Sequence, residues 1–150
     1  CTRDNVTGLI WEVKTDDGGL RDKDWTYSWY NPDPAANGGS AGVPDYRNNC
    51  YDTARCDTAK FAADVSQAGL CGGGDWRLPT REELQGLYQP DAGDRNMPPA
   101  FKTTGWLVWA EPRDAASAWA FNFKSGTEYW YYRDSSDGNR VFGVRAKPEQ

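Results

Sequence analysis

The chain has 150 residues with a formal net charge of −5, no histidine, and 8 Trp, 8 Tyr and 5 Phe. That length suits one domain over 1–150 with a single core of useful size. The 17 basic and 22 acidic residues are interspersed, which excludes a broad nucleic-acid surface and a polybasic membrane patch, and no apolar run is long enough to span a bilayer.

The first residue is Cys1 rather than methionine, consistent with a processed or excised piece. A lipidated cysteine after signal cleavage is one route to such an end, although Cys1 runs straight into strand-like sequence without a polar tether. From Asn5 to Lys14, Leu9, Trp11 and Val13 share one face at period two, the mark of a first strand. The acidic loop that follows carries Asp16, Asp17, Asp22 and Asp24. These are the candidates for a calcium ion, but their spacing does not fit an EF-hand loop, and an ordinary turn accounts for them. No cofactor is otherwise expected.

Trp25 to Tyr30 alternates aromatic and small polar residues until Asn31-Pro32-Asp33-Pro34 stops it. The stretch to Asn49 then reads as a long irregular loop, and a loop of this size inside a domain is functional or pinned. Asp57 is placed to cap a helix running to about Ala68, with Phe61, Val65 and Ala68 on one face and Gly69 as the stop. After it comes Gly72-Gly73-Gly74-Asp75-Trp76-Arg77-Leu78-Pro79-Thr80-Arg81-Glu82-Glu83-Leu84. Here Trp76 and Leu78 point into the core and Arg77 points away. Asp75 and Arg77 are expected to fix the turn by local polar contacts, and Thr80 with Glu83 forms a capping box for a second helix buried through Leu84 and Leu87.

A loop from Pro90 to Pro99 leads into four short strands: Trp106–Ala110, Ala118–Phe123, Glu128–Arg133 and Arg140–Ala146. Turns at Lys124-Ser125-Gly126 and Ser136-Asp137-Gly138-Asn139 separate them. Strand, loop, two helices and an antiparallel meander make an α+β chain with the helices segregated from the sheet.

Four cysteines, an even number, match no zinc-site spacing and lack histidine partners. Two disulfides and an oxidising compartment follow. A helix of about a dozen residues between Cys56 and Cys71 would hold them roughly 18 Å apart, beyond disulfide reach. The pairs expected are therefore Cys50–Cys56 and Cys1–Cys71.

Little in the chain supports catalysis. There is no histidine, no Gly-x-Ser-x-Gly elbow, and Glu82 and Glu83 point apart on a helix rather than forming a working carboxylate pair. Glu111-Pro112-Arg113 resembles the Glu-Pro-Asn sugar motif of animal C-type lectins only loosely. The aromatics are more informative. Trp11, Trp76, Trp106 and Phe121 occupy regular core positions. Alternation over Tyr129, Trp130, Tyr131 and Tyr132 must send two rings to each face, so a sheet covered on one side would expose one pair. With Arg133, Asp134, Asp137, Asn139 and Arg140 in the next turn, these rings make an aromatic and polar surface suited to a glycan or protein.

Three motifs, Asp4-Asn5-Val6-Thr7-Gly8-Leu9-Ile10-Trp11-Glu12, Gly74-Asp75-Trp76-Arg77-Leu78-Pro79-Thr80 with Glu83-Leu84, and the closing Val144-Arg145, occur in this order. In them the chain resembles the bacterial family named for the C-terminal domain of the Legionella collagen-like adhesin. The resemblance implies a C-type lectin-like fold: two helices against a mainly antiparallel twisted sheet with long irregular loops, the first and last strands paired. It also implies a secreted, surface or periplasmic location and an adhesive role, since the best-known member resembles an extracellular, trimeric binder of sulfated polysaccharides. The chain departs from the family at Gly105-Trp106-Leu107-Val108-Trp109-Ala110 and at Gly143-Val144-Arg145, where many members carry a cysteine whose partner position here is Phe61.

The expected function is non-enzymatic binding of a glycan or surface polymer by Tyr129, Trp130, Tyr131, Tyr132, Arg133, Asp134, Asn139 and Arg140. The alternatives are a structural subunit of an extracellular assembly, with self-association into a homo-oligomer, or a protein-binding domain diversified by retroelements, whose variable region would match Tyr129 to Arg140.

Overall fold

Local signals build the helices as expected. Asp57 Oδ1 accepts the Lys60 N–H at 2.9 Å and starts α1 (Thr58–Gln67), which buries Phe61 and Val65 and ends before Gly69 at φ +64°. Thr80 and Glu83 form the reciprocal capping box of α2 (Arg81–Leu87), which buries Leu84 and Leu87. The computed structural model describes residues 1–146 except 48, 93 and 136–138, so the turn at Ser136-Asp137-Gly138 and the expected surface role of Asp137 lie outside the described residues.

The strands are β1 (Thr2–Arg3), β2 (Ile10–Trp11), β3 (Leu107–Pro112), β4 (Ser117–Asn122), β5 (Thr127–Tyr132), β6 (Asn139–Arg140) and β7 (Val144–Arg145). They form a three-stranded sheet, β1-β2-β7, and a four-stranded sheet, β5-β4-β3-β6. The class is α+β, and the first and last strands pair through Ile10 with Arg145 and Trp11 with Val144.

Three expectations change. The strand over Asn5–Lys14 is shorter, because Asp4 accepts the Val6 and Gly8 N–H groups and turns the chain into a tight hairpin between β1 and β2. Its other face is not solvated: Glu12 and Lys14 are buried, with Lys14 Nζ 2.7 Å from Glu12 Oε1. The final strand, Arg140–Ala146, divides in two. β6 runs parallel to β3, the buried segment Val141–Gly143 crosses over, and β7 joins the other sheet.

The third change concerns coverage. Along β3 and β4, Val108, Ala110, Phe121 and Phe123 pack in one cluster with Leu84 and Leu87 of α2. Trp109, Ala118 and Ala120 pack in another with Phe61 and Val65 of α1. Since neighbours in a strand face opposite sides, the four-stranded sheet is covered on both faces, one helix to each. The helices are not segregated to one side.

Both expected disulfides are present, with Cα–Cα distances of 6.5 Å for Cys1–Cys71 and 5.5 Å for Cys50–Cys56. The Gly-Asp-Trp-Arg-Leu-Pro-Thr segment is a junction between distant parts. Arg77 exchanges two backbone hydrogen bonds with Val144 of β7, at 3.0 and 2.9 Å. Trp76 gives its indole N–H to the Leu70 carbonyl at 3.1 Å. Asp75 pairs not with Arg77 but with Arg145, at 2.8 Å, while Arg77 reaches both oxygens of Glu83 at 2.8 Å. Trp106, expected in the core, is half-buried under Arg95.

Candidate functional site: an aromatic and guanidinium surface on β4 and β5

The four-residue turn after β4 sets Asn122 opposite Thr127, and the hairpin register then places Trp119 beside Trp130 and Ser117 beside Tyr132. Among the described residues β5 has only β4 as a neighbour, so it is the edge of its sheet. Lying past the cover of both helices, it exposes rings on both faces: Tyr129 is 45%, Trp130 42% and Tyr132 61% exposed. The expectation of a single exposed pair therefore gives way. Tyr131 alone is half-buried, edge-on to Trp109 at 6.3 Å, and burial pushes its phenol pKa up.

On one face Tyr129 and Tyr131 stack at 6.4 Å between centroids. On the other, Trp130 and Tyr132 meet edge-to-face at 5.5 Å, with Arg113 4.6 Å over the Trp130 ring. Arg81, at the start of α2, lies 3.9 Å over Trp119. Its guanidinium is held by Glu111 and Glu128, each at 3.2 Å. Arg113 pairs with Asp114 at 2.8 Å. Asp114 in turn accepts from the Ser117 hydroxyl and from the Ala116 and Ser117 N–H groups, which hold its carboxyl below the usual carboxylate range. Guanidinium and indole thus alternate across the surface: Arg81, Trp119, Arg113, Trp130. Each such contact contributes about 0.5–1 kcal/mol at an exposed site, and together they hold the rings in place.

The other expected site residues separate. Asp134 is exposed beside Tyr132 and lines a shallow cavity with Ser40 and Ala116. Arg133 is only 2% exposed and is structural. Its Nε donates to the Ser117 carbonyl at 3.1 Å, its other nitrogens donate to the Ser40 and Asp114 carbonyls, and its guanidinium lies 4.3 Å over Trp29. It pins the long loop after Tyr30 against the hairpin. There Gly42, at φ +88°, has no room for a Cβ because the Trp29 carbonyl occupies that space. Asn139 is buried in β6, and Arg140 is half-buried, donating to the Lys23 carbonyl and the Thr104 hydroxyl. Alternation predicts neither burial, because both depend on loops packed from far along the chain.

The residues missed from the sequence are Arg81, Glu111, Arg113, Trp119 and Glu128. The hairpin turn carries the register that would have brought Trp119 and Glu128 in. Nothing local points to Arg81, which arrives with α2. Glu111-Pro112-Arg113 contributes through ion pairs and ring contacts.

Of the calcium candidates, Asp16, Asp22 and Asp24 bring carboxylate oxygens within 4.8 Å of one another, and Asp17 stands apart. Each carboxylate has a protein partner. Asp16 meets Lys23 at 3.1 Å, Asp22 accepts the Gly18 and Asp24 N–H groups, Asp24 accepts from Thr104, and Asp17 accepts from Thr15 and Gly19.

No helix among the described residues is long and apolar enough to cross a membrane. No curated protein and no solved structure matches the chain. The description of the Lcl C-terminal domain matches residues 1–145, a span holding the hairpin motif, the Gly-Asp-Trp-Arg-Leu-Pro-Thr junction and the β7 Val-Arg pair it binds. The chain belongs to the Lcl C-terminal domain family.

Proposed function

We propose that this domain is a non-enzymatic binding module, secreted or displayed on a bacterial surface, that recognises a glycan or similar surface polymer on β4 and β5. The observation that carries this reading is the exposed Trp130–Tyr132 pair held under Arg113. Sugar rings offer apolar C–H faces that stack on indole and phenol, and their hydroxyls accept from fixed guanidinium N–H groups. Aromatic platforms of this kind gain affinity from rigidity, because little side-chain entropy remains to be lost. The two disulfides suit an oxidising compartment, and the pairing of β2 with β7 suits the C-type lectin-like arrangement. Glycan-array binding by the intact domain tests the proposal. Binding should fall at least tenfold in Trp130→Ala and Tyr132→Ala, and a folded protein that binds no saccharide would sink it.

One observation favours a second reading, a structural subunit of an extracellular assembly. Among the described residues β5 pairs only with β4, which leaves the outer side of a six-residue strand without proline or glycine open, and such edges pair readily with another strand. Light scattering at micromolar concentration separates the readings: a monomer at every concentration counts against assembly.

A further inference from the structure

The charges around the Trp119, Trp130 and Tyr132 rings are not arranged to receive an anion. Two guanidinium groups, Arg81 and Arg113, touch the tryptophans on this face of the sheet. Each is already met by carboxylate: Arg81 by Glu111 and Glu128 at 3.2 Å, Arg113 by Asp114 at 2.8 Å. Asp134, exposed beside Tyr132, is a fourth carboxylate and makes no ion pair among the described residues. The carboxylates are also the outer charges. The Glu128 and Asp114 side chains are 47% and 53% exposed, against 29% for Arg81 and 34% for Arg113. Two further cations do not reverse the sign. Arg133 is turned to the opposite face over buried Trp29, with its nitrogens donated to three carbonyls. Lys124 lies in the turn before β5, about 10 Å or more from Trp130 along the strand, where salt screens it.

We propose that this surface selects an uncharged glycan, and that Glu128 and Asp134 are the residues that exclude an anionic one. The inference rests on the glycan reading above and adds its selectivity. Hydroxyls of a neutral sugar donate to the carboxylate oxygens and accept from the guanidinium N–H groups, while its C–H face packs on the exposed Trp130 and Tyr132 rings. A sulfate or uronate group has to displace Glu128 from Arg81, or Asp114 from Arg113, before it reaches a cation. It then lies beside the carboxylates it displaced, and like charges brought together across an interface are unfavourable. Specificity of this kind comes from repelling the wrong ligand rather than from gripping the right one.

The test is binding of the intact domain to cellohexaose, maltohexaose, chitohexaose and xylohexaose, each beside its sulfated form, at about 20 mM and about 300 mM salt. At least one neutral hexasaccharide should bind, with an affinity that changes less than about twofold with salt, and Trp130→Ala should weaken it. Its sulfated form should bind at least about tenfold more weakly at the lower salt. Glu128→Gln combined with Asp134→Asn should raise the ratio of sulfated to neutral binding at least about fivefold, because Arg81 is released from one of its carboxylates. Tighter binding of the sulfated forms by the unaltered domain, weakening as salt rises, overturns the selectivity and leaves the glycan reading standing. An unchanged ratio in the double variant overturns the assignment to Glu128 and Asp134. A folded domain that binds no saccharide, neutral or sulfated, overturns the glycan reading itself.

Discussion

Arg145 lies across Gly73 so closely that a Cβ on Gly73 would overlap its guanidinium, and it is there that Arg145 meets Asp75 at 2.8 Å. Gly73 has an extended backbone with φ −135°, so space rather than conformational freedom requires glycine. Gly73→Ala should displace the guanidinium, break the Asp75 pair and cost about 1–3 kcal/mol, a fall of roughly 2–10 °C in Tm for a domain of this size. In an Arg145→Ala background the same substitution should cost much less, because nothing is left to displace. Equal costs in both backgrounds would show that the overlap is not the cause.

Glu12 is fully buried, accepts from the Gly143 N–H at 3.0 Å and pairs with Lys14 and Arg21. Lys14 Nζ lies 4.1 Å from the Phe61 ring, and burial draws its pKa down against the opposing pull of Glu12. Glu12→Ala leaves that ammonium without its counter-charge and should cost about 3–5 kcal/mol. Replacing both Glu12 and Lys14 by methionine should recover most of the loss, since a buried ion pair and an apolar pair of similar volume are often equally stable. Urea unfolding of the single and double variants reads the difference.

Stability should fall in acid. Arg77 holds the Glu83 carboxyl below its usual 4.5, and Arg145 holds Asp75 below its usual 3.8. The unfolded chain takes up protons at the usual values while the folded chain resists. The stability these groups contribute is therefore present above the unfolded pKa values and lost as pH falls through the folded ones. The urea midpoint should be nearly flat between about pH 7 and 5.5 and decline below about pH 4.5. Glu83→Gln should remove part of the decline; an unchanged slope would assign the acid sensitivity to other carboxylates.

The disulfides should differ in worth, because they close spans of 70 and 6 residues. On loop-closure entropy alone, removing Cys1–Cys71 by paired alanines should cost about 4 kcal/mol and removing Cys50–Cys56 about 2 kcal/mol. Thermal unfolding of the two double variants gives the order, and a reversed order would point to native packing around Cys50 as the larger factor.

Arg113 separates recognition from stability. It is partly exposed and stacks on Trp130, so Arg113→Ala should shift stability by less than about 1 kcal/mol. On the proposed function it should weaken glycan binding about three- to tenfold. Loss of binding together with a large fall in Tm would mean that Arg113 holds the hairpin rather than the ligand.

How much was readable before folding follows the range of each interaction. Asp57, Thr80 and Glu83 announce their helices because caps act over three residues, and the pairing of Cys50 with Cys56 follows from helix length. Period-two alternation places Trp11 and Phe121 correctly because a strand obeys it whatever surrounds it. Alternation does not say which faces are covered. Tertiary packing decided that the sheet is covered on both sides and that β5 overhangs it, leaving Tyr129, Trp130 and Tyr132 in solvent. It also buried Arg133 under a loop that joins the sheet through Ser40, matched Asp75 to Arg145 seventy positions away, and set Arg81 on Trp119. These partners meet only after chain segments far apart have packed. The sequence by itself therefore determined the local elements and the family to which the chain belongs. The division of its aromatic and charged residues between scaffold and surface was decided only by tertiary contacts, since burial depends on the surroundings that distant segments supply.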